Sequence, residues 1–215
     1  MKEFKIRCSA IGQIMTNPRS KTDLLSQTTI TYCEDWLKDQ IYDRRKVIES
    51  KYMDKGTIME GEAIEFVSAY FPDLPLLIKN EKNFESDFMT GTPDLILSDS
   101  VIDIKCPWDA YTFPLFENEL PEKNYYWQLQ GYMNLTGISK GQIIYVLMDT
   151  PLEMIEKEIR FKPDKEDEII KYHSYGNIPD KYRIKCFEVL RNDQDIEAIK
   201  QRVKDCRNYI NSIKI

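Results

Sequence analysis

The chain has 215 residues, 42% of them hydrophobic and 31% charged, with 36 acidic against 30 basic side chains and a net charge of −6. That length is expected to form a single domain, 1–215, with a continuous core. No run approaches the roughly 18 apolar residues of a membrane span, and the charged start MKEFKIRCSA lacks the apolar stretch of a signal peptide. Cysteines 8, 33, 106, 186 and 206 are odd in number and form no CxxC pair, which suits a reducing cytoplasm and argues against zinc or a Cys-ligated iron–sulfur cluster. With His173 as the only histidine, a His-based metal centre and a Ser-His-Asp triad are disfavoured as well. The acidic balance opposes nucleic-acid binding, but residues 1–55 carry 11 Lys/Arg against 8 Asp/Glu. That local excess reads either as a basic contact surface or as an ordinary basic helix over 38–55.

Along the chain, Ser9 to Thr16 predicts a short helix with Ser9 as N-cap, broken by Asn17-Pro18-Arg19-Ser20-Lys21. A longer, interrupted helical pattern runs from about Asp23 to Tyr52. Gly56 to Tyr70 is amphipathic, with Ile58, Met59, Ala63, Phe66, Val67 and Tyr70 near helical spacing. A strand-rich stretch follows from Leu76 to Lys105. Tyr125 to Thr136 predicts a helix ended by Gly137. Gln142 to Met148 predicts a buried strand, with Met154 to Phe161 as its hairpin partner. A polar helix over Asp164 to Tyr175, an edge strand over Tyr182 to Leu190 and an Asp-capped helix over Asp193 to Ile213 complete the chain. This order implies an α/β fold, a mixed sheet flanked by helices on both faces.

The most informative stretch is residues 91–107, GTPDLILSDSVIDIKCP. Leu95-Ile96-Leu97 and Val101 to Lys105 read as strands joined by a Ser98-Asp99-Ser100 turn. Such a hairpin returns Asp103 to the neighbourhood of Asp94. Strand alternation puts Asp103 and Lys105 on one face and Ile104 in the core. Two carboxylates and a lysine at one strand end suit a divalent cation and phosphodiester hydrolysis. Asp94, Asp103 and the Ile104 carbonyl are the candidate ligands, and Lys105 can orient or deprotonate water and offset charge on phosphorus. D-x-K alone is common, so an incidental surface ion pair is the competing reading.

Two helices add candidates. On residues 56–63 (GTIMEGEA), Gly56, Glu60 and Ala63 share one side, where small residues would let the helix approach a sheet and Glu60 reach the cation. Glu62 and Glu65 fall on other faces. On residues 125–133 (YYWQLQGYM), Gln128 and Tyr132 sit at i, i+4. The amide can donate to a phosphate or water and the phenol can wall the cleft; plain aromatic packing is the alternative.

The G-x-x-x-E helix, P-D…D-x-K hairpin and Q-x-x-x-Y helix, in this order, resemble the PD-(D/E)xK nucleases. The D-x-K-C-P sequence, the Y-x-x-Q-x-Q helix ending in T-G and the N-terminal S-x-x-G…P-R-S stretch are similar to the phage lambda exonuclease-like (YqaJ-type viral recombinase) family, over about residues 6–150. The resemblance implies a restriction-endonuclease-like fold and a 5′-to-3′ exonuclease on double-stranded DNA ends. It implies Mg²⁺, or Mn²⁺ in its place, on Glu60, Asp94, Asp103 and the Ile104 carbonyl, with Lys105 and Gln128 assisting water attack. It further implies a 5′-phosphate pocket at Ser9 and Thr92, completed by Lys2, Lys5 or Arg7, with Arg19 touching the strand at the duplex junction. A homotrimer, a single-strand annealing partner and a phage or prophage gene acting in the bacterial cytoplasm follow from the same resemblance. Asp103 stands where lambda's own motif has glutamate. Another PD-(D/E)xK nuclease, an endonuclease or a Cas4-like one without its cluster, is the alternative enzyme. A degenerate, non-catalytic DNA-binding module is the alternative outside enzymes.

Overall fold

The computed structural model describes residues 2–46, 50–75 and 77–214. Chain order begins with strand β1 (Ile6–Arg7), a 3-10 turn over Cys8–Ala10 and the short helix α1 (Ile11–Ile14), followed by helices α2 (Gln27–Tyr42) and α3 (Lys51–Tyr70). Four strands come next: β2 (Phe84–Glu85), β3 (Met89–Gly91), β4 (Leu95–Ile96) and β5 (Ser100–Lys105). Helix α4 (Lys123–Thr136), strand β6 (Lys140–Val146), helices α5 (Leu152–Phe161) and α6 (Glu166–Tyr172), strand β7 (Ile184–Leu190) and helix α7 (Asp193–Ser212) complete the order.

Strands β4-β5-β6-β7 form one sheet in that order, parallel between β5 and β6 and antiparallel at both outer pairs. The sequence predicts one mixed sheet; a second, β1-β3-β2, is built from the strands before β4. Pro93 lies between the two, and without an N–H it cannot carry a ladder from β3 into β4. The β5 and β6 alternation divides the core. Val101, Ile143 and Tyr145 pack with Trp127, Leu129 and Met133 of α4 and Ile199 and Val203 of α7. Ile102, Ile104, Ile144 and Val146 pack with Met59, Ala63, Ile64 and Val67 of α3. Helices therefore cover both faces of the four-stranded sheet, which explains why β5 is buried almost throughout.

Several expectations are corrected. Met154–Phe161 is not the hairpin partner of β6; it lies within α5, and β7 pairs with β6. Its apolar residues Met154, Ile155 and Ile159 gather on one side against Trp108 and Ile169, and the i,i+4 pair Glu156–Arg160 (2.9 Å) supports the helix. Ser9 lies inside the 3-10 turn and caps nothing, while Asn192, not Asp193, caps α7 by accepting from Gln194 N (3.0 Å) and Asp195 N (3.2 Å). Gly56 meets nothing within 4 Å of where a Cβ would sit, so the close approach of α3 is made by Ala63 instead. Gly137 ends α4 in the left-handed region (φ 77), as its position predicts.

Residues 38–55 are not one basic surface helix. α2 stops at Tyr42, with Asp43 left-handed (φ 49), and α3 starts at Lys51; residues 47–49 of that stretch lie outside the described residues. Lys55 is fully buried, its Nζ donating to Met148 O (2.7 Å), Trp108 O (3.0 Å) and Thr150 Oγ1 (3.0 Å). One ammonium thus ties α3 to the segments that follow β5 and β6. Burial pushes its pKa down to about 8. Lys55→Met is expected to lower stability by about 1–3 kcal/mol in urea denaturation at pH 7, because two carbonyls and a hydroxyl lose their donor. Between pH 8 and about 10 the unfolded chain holds more protons on Lys55 than the folded one, so wild type should gain on Lys55→Met as pH rises. The gain is at most about 1.4 kcal/mol per pH unit, and a flat difference across that window would contradict it.

Candidate active site

The β4–β5 hairpin closes through Leu97 N to Ser100 O (2.8 Å), and its register pairs Leu95 with Ile102. One step further along the ladder, Asp94 comes opposite Asp103, as the sequence predicts. Asp94 Oδ2 accepts from Ile104 N (2.7 Å). An extended residue turns its N–H and C=O to the same edge, so the Ile104 carbonyl opens toward Asp94, and Ile104 lines the same cavity. Burial, and next the Asp103 charge, push the Asp94 pKa up to about 7, with the Ile104 N–H working against them.

Asp103 is buried, and its Oδ1 accepts from Gln128 Nε2 (2.9 Å). Oδ2 meets the Lys105 ammonium in an ion contact but makes no well-formed hydrogen bond. Burial works against the Lys105 charge, yet the Asp103 carboxylate outweighs it and holds the Lys105 pKa above its usual value. The ammonium also lies 4.6 Å from the centre of the Tyr125 ring. Lys105 is therefore a cation at neutral pH: it can stabilise negative charge or orient water, but it is not poised to accept a proton.

Gln128 and Tyr132 take a different part from the one their spacing suggests. The Gln128 amide also donates to Tyr132 Oη (2.9 Å), and that hydroxyl donates to Thr92 O (3.2 Å). Both residues are buried. The amide protons are thus spent on Asp103 and Tyr132, and the i,i+4 pair of α4 links the Thr92 turn to β5. Tyr132 supports the cleft from beneath rather than walling it.

A cavity of about 680 Å³ opens over this chain of contacts, lined by Ser9, Glu60, Asp94, Ile104, Lys105 and Gln128 among others. Glu60 reaches it from α3, as predicted, but its Oε2 is held by Lys79 Nζ (2.8 Å). Among the described residues, no three His, Cys, Asp or Glu side chains are close enough to share one ion. Asp94 and Asp103 are together; Glu60 is restrained at the wall. Glu62 and Glu65 are exposed, as expected. Thr92 is exposed, with its hydroxyl on Asn83 Oδ1 (3.2 Å). Arg19 is elsewhere, on a larger groove of about 1100 Å³ with Asp23, Ser26, Asp205 and Tyr209. That groove holds no facing carboxylates, so its size does not make it the reactive site. Lys79 and Asn83 escape the sequence reading because neither stands at a recurring spacing, and Lys55 was hidden among surface lysines.

This fold and site define the class as an α/β nuclease. The chain matches a phage-related exonuclease from Haemophilus somnus 129PT at 30% identity and a TM-score of 0.84, covering 98% of this chain and 95% of that one. It therefore belongs to the phage lambda exonuclease-like (YqaJ-type viral recombinase) family. An alkaline exonuclease from Laribacter hongkongensis shares the fold at 16% identity and a TM-score of 0.67, over 97% and 88% of the two chains, and its complex with dAMP matches at 18% and 0.67 over the same shares. No family model and no curated protein matches the chain.

The two facing acids carry a testable cost. Folding holds the Asp94 proton to higher pH than the unfolded chain does, so stability is lost as pH rises from about 4 to about 7. Asp94→Asn keeps an acceptor for Ile104 N–H without the charge. In EDTA it is expected to exceed wild type by on the order of 1 kcal/mol at pH 8 and by nothing at pH 4, measured by thermal or urea unfolding.

Proposed function

We propose that the chain is a metal-dependent deoxyribonuclease, a 5′-to-3′ exonuclease on double-stranded DNA ends whose single-stranded product serves a strand-annealing protein in phage-type recombination. The observation that carries this reading is the buried Asp94–Asp103 pair beside the Lys105 ammonium at a cavity lip, in a chain 30% identical to a phage-related exonuclease. On this reading the four-stranded sheet and its flanking helices are the restriction-endonuclease-like core.

The donor set fits Mg²⁺, or Mn²⁺ in its place. Asp103 Oδ2 lacks a hydrogen bond, the Asp94 carboxyl is strained by its neighbour, and the Ile104 carbonyl faces the same edge. Glu60 completes an oxygen-rich set once its contact with Lys79 gives way. Such an ion supplies Lewis-acid stabilisation of the phosphate and a more acidic water. The residues of the chain do the rest. Asp94 and Asp103 set the position of the reacting phosphate through their shared charge. Lys105 offsets negative charge on the phosphorus oxygens, and Gln128 keeps Asp103 in place through its amide. Ser9 at the cavity wall and Thr92 in the adjoining turn supply hydroxyls for a terminal 5′-phosphate. Of the cations considered for that phosphate, Lys5 is paired with Glu85 (2.7 Å), whereas Arg7 stands opposite Thr90 in the β1–β3 register, next to Ser9 and Thr92. Arg7 is the better candidate. Arg19 would meet DNA only outside the cavity, and Tyr132 serves by holding Thr92. A homotrimer acting in the cytoplasm of the bacterial host, encoded by a phage or prophage, completes the proposal. No described helix is long and apolar enough to cross a membrane.

With Mg²⁺ and a linear duplex, wild type is expected to degrade the strand bearing a 5′ phosphate faster than one bearing a 5′ hydroxyl, and Lys105→Ala to lose at least about 100-fold in rate. Equal rates for the two proteins would refute the assignment of Lys105, and cutting of closed circular DNA would transfer the chain to the endonucleases. Light scattering during size exclusion should give about three times the 25.5 kDa chain mass; a monomer at working concentration would contradict the trimer.

A further inference from the structure

Between β5 and α4 runs a long connection, residues 106–122, that starts directly after Lys105. Connections of this length without secondary structure of their own are uncommon in compact domains. This one is pinned at a single turn. Asp109 Oδ1 accepts from Tyr111 N (3.1 Å), Thr112 N (2.9 Å) and Thr112 Oγ1 (3.0 Å), and Oδ2 accepts from Tyr172 Oη (3.2 Å). Ala110 N donates to Tyr175 Oη (3.2 Å), which fastens the turn to the segment after α6.

What the turn presents is a tyrosine with nothing over it. Tyr111 is 84% exposed, yet its ring is stacked on that of Tyr172, with centroids 5.9 Å apart and planes 17° apart. Tyr111 also lines the cavity that holds Asp94, Lys105 and Gln128. An exposed aromatic normally gains by folding back onto the surface. Here the Asp109 turn and the Tyr172 ring fix one face and leave the other open at the lip of the cavity. Successive bases of a single strand stack on such platforms whatever their identity, because every base has a π-face, and the strand charge is met by nearby cations. Lys105 is one such cation; Lys51, lying 4.2 Å from the centre of the Trp108 ring, is another at the same end of the loop.

We propose that the Tyr111–Tyr172 stack is a nucleobase platform: it takes the base of an unpaired nucleotide on the open face of Tyr111 while the phosphate of that strand lies in the cavity beside Lys105. The platform rests on the nuclease reading for its ligand. It assigns to the loop a role in choosing an unstacked strand end over paired DNA, without base preference.

The test separates base from backbone. Fluorescein-labelled (dT)8 and an abasic octamer of equal length and charge are titrated with the full chain in EDTA, where no strand is cut, and followed by anisotropy. Wild type is expected to bind (dT)8 about tenfold more tightly than the abasic strand. Tyr111→Ala should bring the two together while leaving the abasic affinity in place, and Tyr111→Trp should keep them apart. The proposal is overturned if wild type shows no difference, if Tyr111→Ala keeps it, or if Tyr111→Ala changes the mass seen by light scattering, which would give this face to a second copy of the chain. The nuclease reading fails separately. A wild type that discriminates base from abasic strand yet leaves a linear duplex intact with Mg²⁺ would keep the platform and lose the nuclease; digestion without discrimination would do the reverse.

Discussion

Two like charges held together by one hairpin organise this protein. Register alone brings Asp94 opposite Asp103, and burial makes their repulsion expensive. The surroundings are compensation: a backbone N–H for Asp94, a glutamine amide and an ammonium for Asp103. For the amide to arrive, α4 must lie very close to β3 and to the Cys8 turn. A Cβ at Gly91 would meet Cys8 Sγ and Tyr132 Cε1 at 2.8 Å, and one at Gly131 would meet Ile11 Cδ1 at 2.6 Å. The glycines give up side chains so that Tyr132 can reach the Thr92 carbonyl and Gln128 can reach Asp103.

The opposite face of the sheet solves a separate problem. α3 must bring Glu60 to the same cavity from the other layer, and apolar packing along Met59, Ala63 and Val67 sets its distance but leaves its slide along the sheet poorly defined. Lys55 removes that freedom. A fully buried ammonium with three acceptors on two separate segments has one good position, and Glu60 follows little more than one turn later. The Glu60–Lys79 pair then holds the carboxylate at the wall of the cavity, apart from the Asp94–Asp103 pair. Both devices place a cation where the sequence suggested only solvent.

Much of this was legible beforehand. The GTPD…DIKCP hairpin, the α4 helix with its Gly137 stop, the amphipathic α3 and the edge position of β7 follow from period-2 and period-3.6 patterns and turn chemistry, all local. The errors share a cause. Met154–Phe161 alternates well enough for a strand, but Trp108 and Ile169 arrive from elsewhere to receive one face of a helix. The single predicted sheet became two because Pro93 ends a ladder whose partner strands lie far apart in the chain. Gln128 was correctly placed on the site, yet its amide protons were assigned to substrate, since spacing says which face a donor occupies and not which acceptor gets there first.

By itself the sequence determined the residue types at the site and the order in which they come: an acid before a hairpin, an acid and a lysine two apart at its far end, a glutamate and a glutamine on flanking helices. Those are consequences of short-range geometry, in which neighbours along the chain fix one another's directions. Only the tertiary structure decided which charges are buried and with whom. It left Asp103 Oδ2 without a hydrogen bond, kept Lys105 protonated and buried Lys55. It also gave Glu60 to Lys79 and stood Tyr111 open on Tyr172. Burial and long-range Coulomb interactions depend on contacts between residues up to about a hundred positions apart, and no local pattern encodes them.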